Sequence, residues 1–366
     1  MKIAYIVLKG MPLGGGIEKY TEEVGSRLVA MGHEVLVYTM RHYGAKDGIY
    51  KGMLIKTVPT LKSKSIEKIL AAFIATIKSI MEKKIDIVHF HAFGPAMFCF
   101  IPRLFGKKVV VQGHGLEWKR SRWGLGGRLF LKLTEIPSVK FPHIITVVSH
   151  VQKEYLLKQY GIESIPIPTG VNPPQIEKPD LIKQQYGLCG GDYILFAARL
   201  VKEKGAHYLI EAYKRIKTDL KLVITGDAKH EESYKSDLLN LAKRDKNIIF
   251  TGFVTGKILH ELFSNCYIFV LSSEIEGLPT VLFEALSYGN CCLVSDIPEN
   301  LEALNNFGYT FKNKDVNELA EKLVYLINNP DAVETVKEPA KKYILENYLW
   351  DKITVRFEEL YKKLLN

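Results

Sequence analysis

Residues 269–290, FVLSSEIEGLPTVLFEALSYGN, contain a complete strand, loop and helix start. An apolar run ends at Ser272. A short loop carries Glu276 and Gly277. Pro279 follows, at a place where proline favours the first turn of a helix. The helix then runs through Glu284 to Tyr288, with Gly289 as its stop. Both flanks are apolar, so strand and helix are both read as buried. Glu276 and Glu284 lie eight residues apart, so the loop and the second helical turn can present both carboxylates to one cleft. Between them the first-turn amides of Leu278, Thr280 and Val281 cluster at the positive end of the helix. Such an arrangement would offer acceptors for hydroxyl groups, such as those of a sugar, on both sides of a helix end suited to an anion.

The same strand-then-helix unit repeats outward in both directions. Strands are expected at Ile3–Leu8, Glu34–Thr39, Leu54–Val58, Ile85–Phe90, Lys108–Gln112 and His143–Val147. A second set is expected at Tyr193–Ala197, Lys221–Thr225, Asn247–Thr251, Tyr267–Leu271 and Cys292–Ser295. Helical patterns intervene at Ile17–Met31, Ser65–Lys83, Ala206–Lys217, Glu231–Lys243 and Lys257–Phe263. Alternation of this kind implies parallel sheets covered by helices on both faces. It occurs twice in 366 residues, so the fold class is α/β, with two doubly wound, Rossmann-like domains facing across a cleft. The break falls in IPIPTGVNPPQIEKPD, residues 165–180, where five prolines resist both helix and central strand. The expected domains are 1–168 and 175–345, with the helix at 350–366 crossing back to the first.

Other signals are weaker singly. Gly14, Gly15 and Gly16 separate the first strand from a helix, which lets backbone approach a bulky anion, yet the spacing is neither a dinucleotide fingerprint nor a Walker loop. Arg199 and Lys204 flank a strand–helix turn that ends in Gly205, and two cations there suit a diphosphate. His114 follows the strand KVVVQG and precedes Gly115. His89 and His91 sit on a strand and are read as structural, and His150 opens a helix near the break.

Net charge is +10, but residues 1–175 carry 25 Lys and Arg against 12 Asp and Glu, while the remainder carries 25 against 28. The first half therefore suits an anionic partner. Residues 116–133, LEWKRSRWGLGGRLFLKL, interleave Lys119, Arg120, Arg122 and Arg128 with Trp118 and Trp123, as a glycine-containing loop at a lipid interface would. The lysine-flanked stretch at 61–84 is amphipathic and is better read as a packed helix than a membrane one. No apolar run reaches transmembrane length, and five cysteines without a CxxC pair fit a reduced, cytoplasmic compartment.

The Glu-Gly-Leu-Pro-x3-Phe-Glu-Ala run resembles the Glu-x7-Glu signature of glycosyltransferase family 4. The resemblance extends over the chain: the glycine loop at 14–16, the strand ending VHFH at His91, HG at 114–115, the Arg199/Lys204 pair, TGD at 225–227 and TGF at 251–253. It implies the GT-B fold and a retaining transfer of a hexose-type sugar from a nucleoside-diphosphate sugar, most commonly UDP-linked, with neither cofactor nor metal. Gly15 and Gly16 would touch the donor diphosphate, and Arg199 and Lys204 would hold it and steady the leaving nucleotide. Glu276 would bind sugar hydroxyls with the backbone of Gly277 and Leu278. Glu284 would bind the ribose, and the base would lie near Phe253 and Val254. His114 would orient the sugar near its reacting carbon, without serving as a general base. Glu117, Lys119, Arg120, Arg122 and Trp123 are candidates for acceptor or membrane contact. Thr169 and Asn172 depart from the Asn and Asp of many relatives. The implied partners are the donor, a glycan or lipid-linked acceptor and the anionic face of a cytoplasmic membrane, with no nucleic acid. The alternatives are a nucleotide-sugar epimerase of the same fold and a noncatalytic nucleotide-sugar-binding protein.

Overall fold

The computed structural model describes residues 1–12, 15–44, 46–60, 67–120, 123–228, 232–243 and 245–366. Gly14 and Arg122 lie outside them. The chain divides into two compact units, Met1–Gly170 with Trp350–Asn366, and Val171–Leu349. The division falls inside the proline-rich segment.

The first unit holds β1 (Lys2–Leu8), β2 (Glu34–Met40), β3 (Gly48–Tyr50), β4 (Met53–Val58), β5 (Ile87–His91), β6 (Lys108–Gly113), β7 (Ile144–Val147) and β8 (Ile165–Pro166). Its helices are α1 (Gly16–Ala30), α2 (Glu67–Met81), α3 (Phe100–Leu104), α4 (Leu125–Lys140) and α5 (His150–Tyr160). The sheet order is β3-β4-β2-β1-β5-β6-β7-β8, parallel except for the β3–β4 pair. In the second unit α6 (Leu181–Tyr186) precedes β9 (Tyr193–Ala197), α7 (Ala206–Tyr213), β10 (Lys221–Thr225), α8 (Glu232–Ala242) and β11 (Ile248–Gly252). Then come α9 (Lys257–Asn265), β12 (Ile268–Leu271), α10 (Thr280–Ser287), β13 (Cys291–Ser295), α11 (Pro298–Leu304), β14 (Tyr309–Phe311), α12 (Val316–Asn328) and α13 (Pro330–Asn347). Its sheet is parallel, ordered β11-β10-β9-β12-β13-β14. The last helix, α14 (Trp350–Leu365), belongs to the first unit.

The second sheet is buried on both faces, which is why its strands read as unbroken apolar runs. Ile194, Phe196, Leu222, Ile224, Cys291 and Leu293 enter one core cluster. Their chain neighbours Tyr193, Leu195, Val223, Cys292 and Val294 enter the other. The period-two alternation of a strand sends adjacent residues, Cys291 and Cys292 among them, to opposite sides.

Two expectations change. Helix α7 ends at Tyr213 rather than Lys217, because its last turn tightens: Arg215 N–H donates to the Ala212 carbonyl and Ile216 N–H to that of Tyr213. The 116–133 segment is not one loop. A short 3-10 turn at Glu117–Lys119 gives way to α4 at Leu125, despite Gly126 and Gly127 in its first turn. Helix α2 packs, as expected, burying Ala71, Ala72, Ala75, Thr76 and Ser79. No helix among the described residues is long and apolar enough to cross a membrane.

Candidate functional site

In the second sheet β10 lies on one side of β9 and β12 on the other. Loops leaving β9 and β12 at their carboxyl ends therefore part at a topological switch point, where ligands bind in open parallel sheets. Two glycines decide how closely those loops approach. Gly205 has φ +70°, and a Cβ there would sit 2.0 Å from the Ser272 carbonyl oxygen. Gly226 has φ +136°, and its Cβ would sit 1.8 Å from the Ala198 carbonyl oxygen. No side chain fits at either place. The loops are then stitched together. Ser272 Oγ donates to the Gly205 carbonyl at 2.8 Å, and Glu274 N–H donates to the Glu203 carbonyl at 2.8 Å. Below them Ser295 Oγ donates to the Ser273 carbonyl, and Asn300 Nδ2 donates to Ser295 Oγ at 2.9 Å.

On this frame Lys204 Nζ meets Glu276 Oε1 at 2.5 Å, with side chains 13% and 8% exposed. Two charges so withdrawn from water need each other. An ammonium has three N–H donors, so Lys204 can hold Glu276 and a phosphate oxygen together. Arg199 is placed differently. Its side chain is 54% exposed and lies 3.7 Å from Glu203. The two cations thus form no equal pair: one is a partly buried anchor tied to a site carboxylate, the other a surface charge. Glu274 was not anticipated. It accepts from Tyr208 OH at 2.8 Å and pairs with Lys314 at 2.7 Å. Burial pushes its carboxyl up, but these two bonds outweigh burial and hold it below the usual range.

Helix α10 starts at Thr280, with Pro279 as an extended N-cap whose side chain makes no capping bond, one residue later than the first-turn place expected for that proline. Its opening amides, Thr280 and Val281 among them, therefore have no side-chain cap from Pro279. Leu278 is half-buried and joins the core beneath. Gly277 and Glu284 are half-buried too, Glu284 on the second turn. Gly289 closes the helix at φ +77°. Past β11, Phe253 is exposed and Val254 half-buried. The Gly252 carbonyl before them accepts from Gly226 N–H at 2.9 Å, which joins this loop to the one after β10.

The first sheet has its own switch point, between β1 and β5. There His114 Nε2 lies 3.1 Å from His91 Nδ1. His91 Nε2 lies 3.5 Å from Thr21 Oγ1, and His89 Nδ1 lies 2.6 Å from Tyr361 OH on α14. The Tyr20 ring stands edge-on to His114, with centroids 4.9 Å apart. Burial pushes His114 down to about 3, against a small opposing pull from Glu117. Burial, with repulsion from His114, takes His89 to about 3, and burial pushes His91 well below the usual imidazole range. All three rings are neutral near pH 7, so each can donate one hydrogen bond and accept one, although buried His89 Nε2 makes neither among the described residues. His89 and His91 are buried strand residues, as read from the sequence. The contact of His91 with His114 was missed, although the spacing in VHFH puts His89 and His91 on one face of β5.

Gly15 is the N-cap of α1, with φ −151°, and Gly16 begins the helix. Neither described glycine of this loop needs a left-handed backbone. What they provide is space: a Cβ on Gly15 would meet Glu18 Oε2 at 2.1 Å, while Glu18 Oε1 accepts from Lys9 N–H at 3.1 Å. Glu117 lies 3.7 Å from Arg120. Lys119 is exposed and Trp123 packs over Gly127, 3.0 Å from a Cβ placed there. His150 is exposed at the start of α5, behind Ser149, whose hydroxyl caps the helix by accepting from Gln152 N–H.

Among known proteins, the chain is 27% identical to UDP-Gal:alpha-D-GlcNAc-diphosphoundecaprenol alpha-1,3-galactosyltransferase of Escherichia coli, over 88% of this chain and 87% of that one. Its fold is similar to that of sucrose-phosphate synthase from Thermosynechococcus elongatus, with TM-score 0.86, 17% identity and coverage of 100% and 99%. It is also similar to HepE of Anabaena in complex with UDP and glucose, with TM-score 0.83, 15% identity and coverage of 99% and 100%. These likenesses establish the GT-B fold. The family described as Glycosyltransferase Family 4 matches residues 14–175, and that described as Glycosyl transferases group 1 matches residues 180–343. Both units thus carry the family's pattern in chain order, and the chain is a glycosyltransferase belonging to glycosyltransferase family 4.

Proposed function

We propose that the protein is a retaining hexosyltransferase that uses a UDP-sugar and passes the sugar to a lipid-linked or glycan acceptor, working at the cytoplasmic face of a membrane. The observation that carries the proposal is the Lys204–Glu276 pair, held at a sheet's switch point by two glycines that tolerate no side chain. A diphosphate leaving group gathers negative charge as the glycosidic bond breaks, and a preorganised ammonium beside the positive end of α10 meets that charge without a metal. Glu276 takes sugar hydroxyls and steadies Lys204 through the same carboxylate. Arg199 adds charge at the rim, Glu284 takes the ribose, and Phe253 and Val254 flank the base. In the first unit Gly15 and Gly16 leave room for the donor's phosphates. His114, neutral and fixed by His91, gives or takes a hydrogen bond at a sugar hydroxyl rather than a proton.

The donor assignment draws support from HepE, which was crystallised with UDP and glucose, and from the Escherichia coli relative, named for UDP-Gal. That relative's name also supplies the acceptor class, a sugar on diphosphoundecaprenol. The test is release of UDP from UDP-galactose and UDP-glucose, with and without a GlcNAc-diphospho-lipid. Acceptor-dependent UDP release with retained anomeric configuration is the expected result. Release without any acceptor dependence, or epimerised donor, contradicts it.

A further inference from the structure

Helix α4 is amphipathic the wrong way round for a helix facing water. It buries Thr134, Glu135 and Ser138 beside Val139. Each buried polar group is satisfied: Tyr155 OH and Tyr160 OH donate to Glu135 Oε2 at 2.9 and 2.8 Å, and Ser138 Oγ donates to the Phe93 carbonyl at 2.6 Å. Outward it shows Leu125, Leu129, Leu133 and Ile136, the first three 87%, 62% and 56% exposed. At 100° per residue these four fall on one stripe. Just past the end of α4, Phe141 packs against α3: the Phe100 and Phe141 rings are 5.8 Å apart and Arg103 Nη1 donates to the Phe141 carbonyl at 2.7 Å. Leu104 and Phe105, at the end of α3, are 79% and 65% exposed. An exposed leucine stripe on α4, with further exposed apolar side chains on the α3 that packs at its end, calls for a cover.

Charge says which cover fits. The exposed ionic groups of α4 are all cations: Arg128, Lys132 and Lys140. Residues 87–140 hold nine Lys and Arg and two acids. Of those acids Glu135 is buried and Glu117 lies beside Arg120. A protein partner would match an apolar stripe with a dry complementary stripe. A stripe of leucines fringed by long cations, whose stems can lie in hydrocarbon while their heads reach phosphates, fits a lipid headgroup boundary.

We propose that the α3–α4 surface of the first unit docks on an anionic lipid bilayer, with α4 lying along the headgroup boundary and Leu125, Leu129, Leu133, Leu104 and Phe105 entering it. The docking surface deepens the proposal of a membrane-borne acceptor and rests on it for its purpose, but its test needs neither donor nor acceptor. The full chain is sedimented with phosphatidylcholine vesicles containing or lacking phosphatidylglycerol. Binding is expected to the anionic vesicles, about tenfold weaker or more without the anionic lipid, and weakened by salt. The double variant Leu129→Glu/Leu133→Glu should lose about tenfold or more of that binding. Leu239→Glu, an exposed position on α8 of the second unit, should keep it, and both variants should melt as the parent does. Arg128→Gln/Lys132→Gln should flatten the salt dependence. No vesicle binding by the parent, or binding unchanged in Leu129→Glu/Leu133→Glu, overturns the proposal. So does a parent dimer that this variant dissociates, since the stripe would then be a self-interface. Sugar transfer by a parent protein that binds no vesicles refutes the docking surface alone. Vesicle binding without sugar transfer refutes the proposed function alone.

Discussion

The two sheets end in opposite chemistry. At its switch point the first gathers imidazoles and phenols that burial keeps neutral, and the second gathers carboxylates and ammoniums that neutralise each other in pairs. Family 4 membership makes both ends candidates for substrate contact. Under the proposed function the difference means that one end would hold hydroxyls by hydrogen bonds of fixed direction, and the other would meet developing phosphate charge. In the first, stability depends on protons staying off the imidazoles. In the second, it depends on partners staying paired.

The comparison breaks most sharply at Lys204. Lys204→Ala removes the cation and strands Glu276, which is only 8% exposed, without its partner. Transfer measured as kcat/KM should fall about 100- to 1000-fold, roughly 3–4 kcal/mol. Next is Gly226→Ala, whose Cβ would collide with a backbone oxygen that has no room to move. About 3 kcal/mol of unfolding free energy should be lost in urea titrations.

The imidazole end is sharpened by pH. An imidazole that titrates near 6.5 when unfolded and at about 3 when folded binds its proton only in the unfolded chain between those values. The stabilisation is therefore whole above pH 6.5 and drains as pH falls toward 3. Each such ring contributes up to about 1.4 kcal/mol per pH unit over that window. Hydrogen exchange at pH 5 should show the β5 and β6 amides losing protection before those of β9 and β12, and His89→Gln should lessen that gap.

Smaller effects follow at the rim. Arg199→Ala should raise the donor KM about fivefold, roughly 1 kcal/mol, because an exposed cation is screened by water and salt. Gly16→Ala meets nothing within 4 Å at the start of α1, so urea unfolding should shift by less than about 0.5 kcal/mol.

Much of this was legible beforehand because buried parallel strands leave a coarse mark. YILFA at 193–197 and KLVIT at 221–225 form strands over the residues their apolar runs mark out, and Gly289 stops α10 where it was expected. Short edge strands such as β3 and β14, three residues each, leave no alternation to detect. Helix α4 was hidden by its own glycines and by an inverted pattern, with serine, threonine and glutamate inward. The residue types of the charged end could be named from the Glu-x7-Glu spacing. Its pairing could not, because Lys204 and Glu276 meet across 72 residues and Glu274 earns its place from Tyr208 and Lys314. Likewise the bond between His91 and His114 depends on β5 and β6 being neighbours, a fact of topology rather than of spacing.

The most direct test of the charged end as a donor-diphosphate anchor is a calorimetric titration of UDP into the parent protein and into Lys204→Ala, each checked for an unchanged melting profile. Saturable binding by the parent, weakened about 100-fold in Lys204→Ala, is the predicted result. Equal affinity in the two proteins would contradict it.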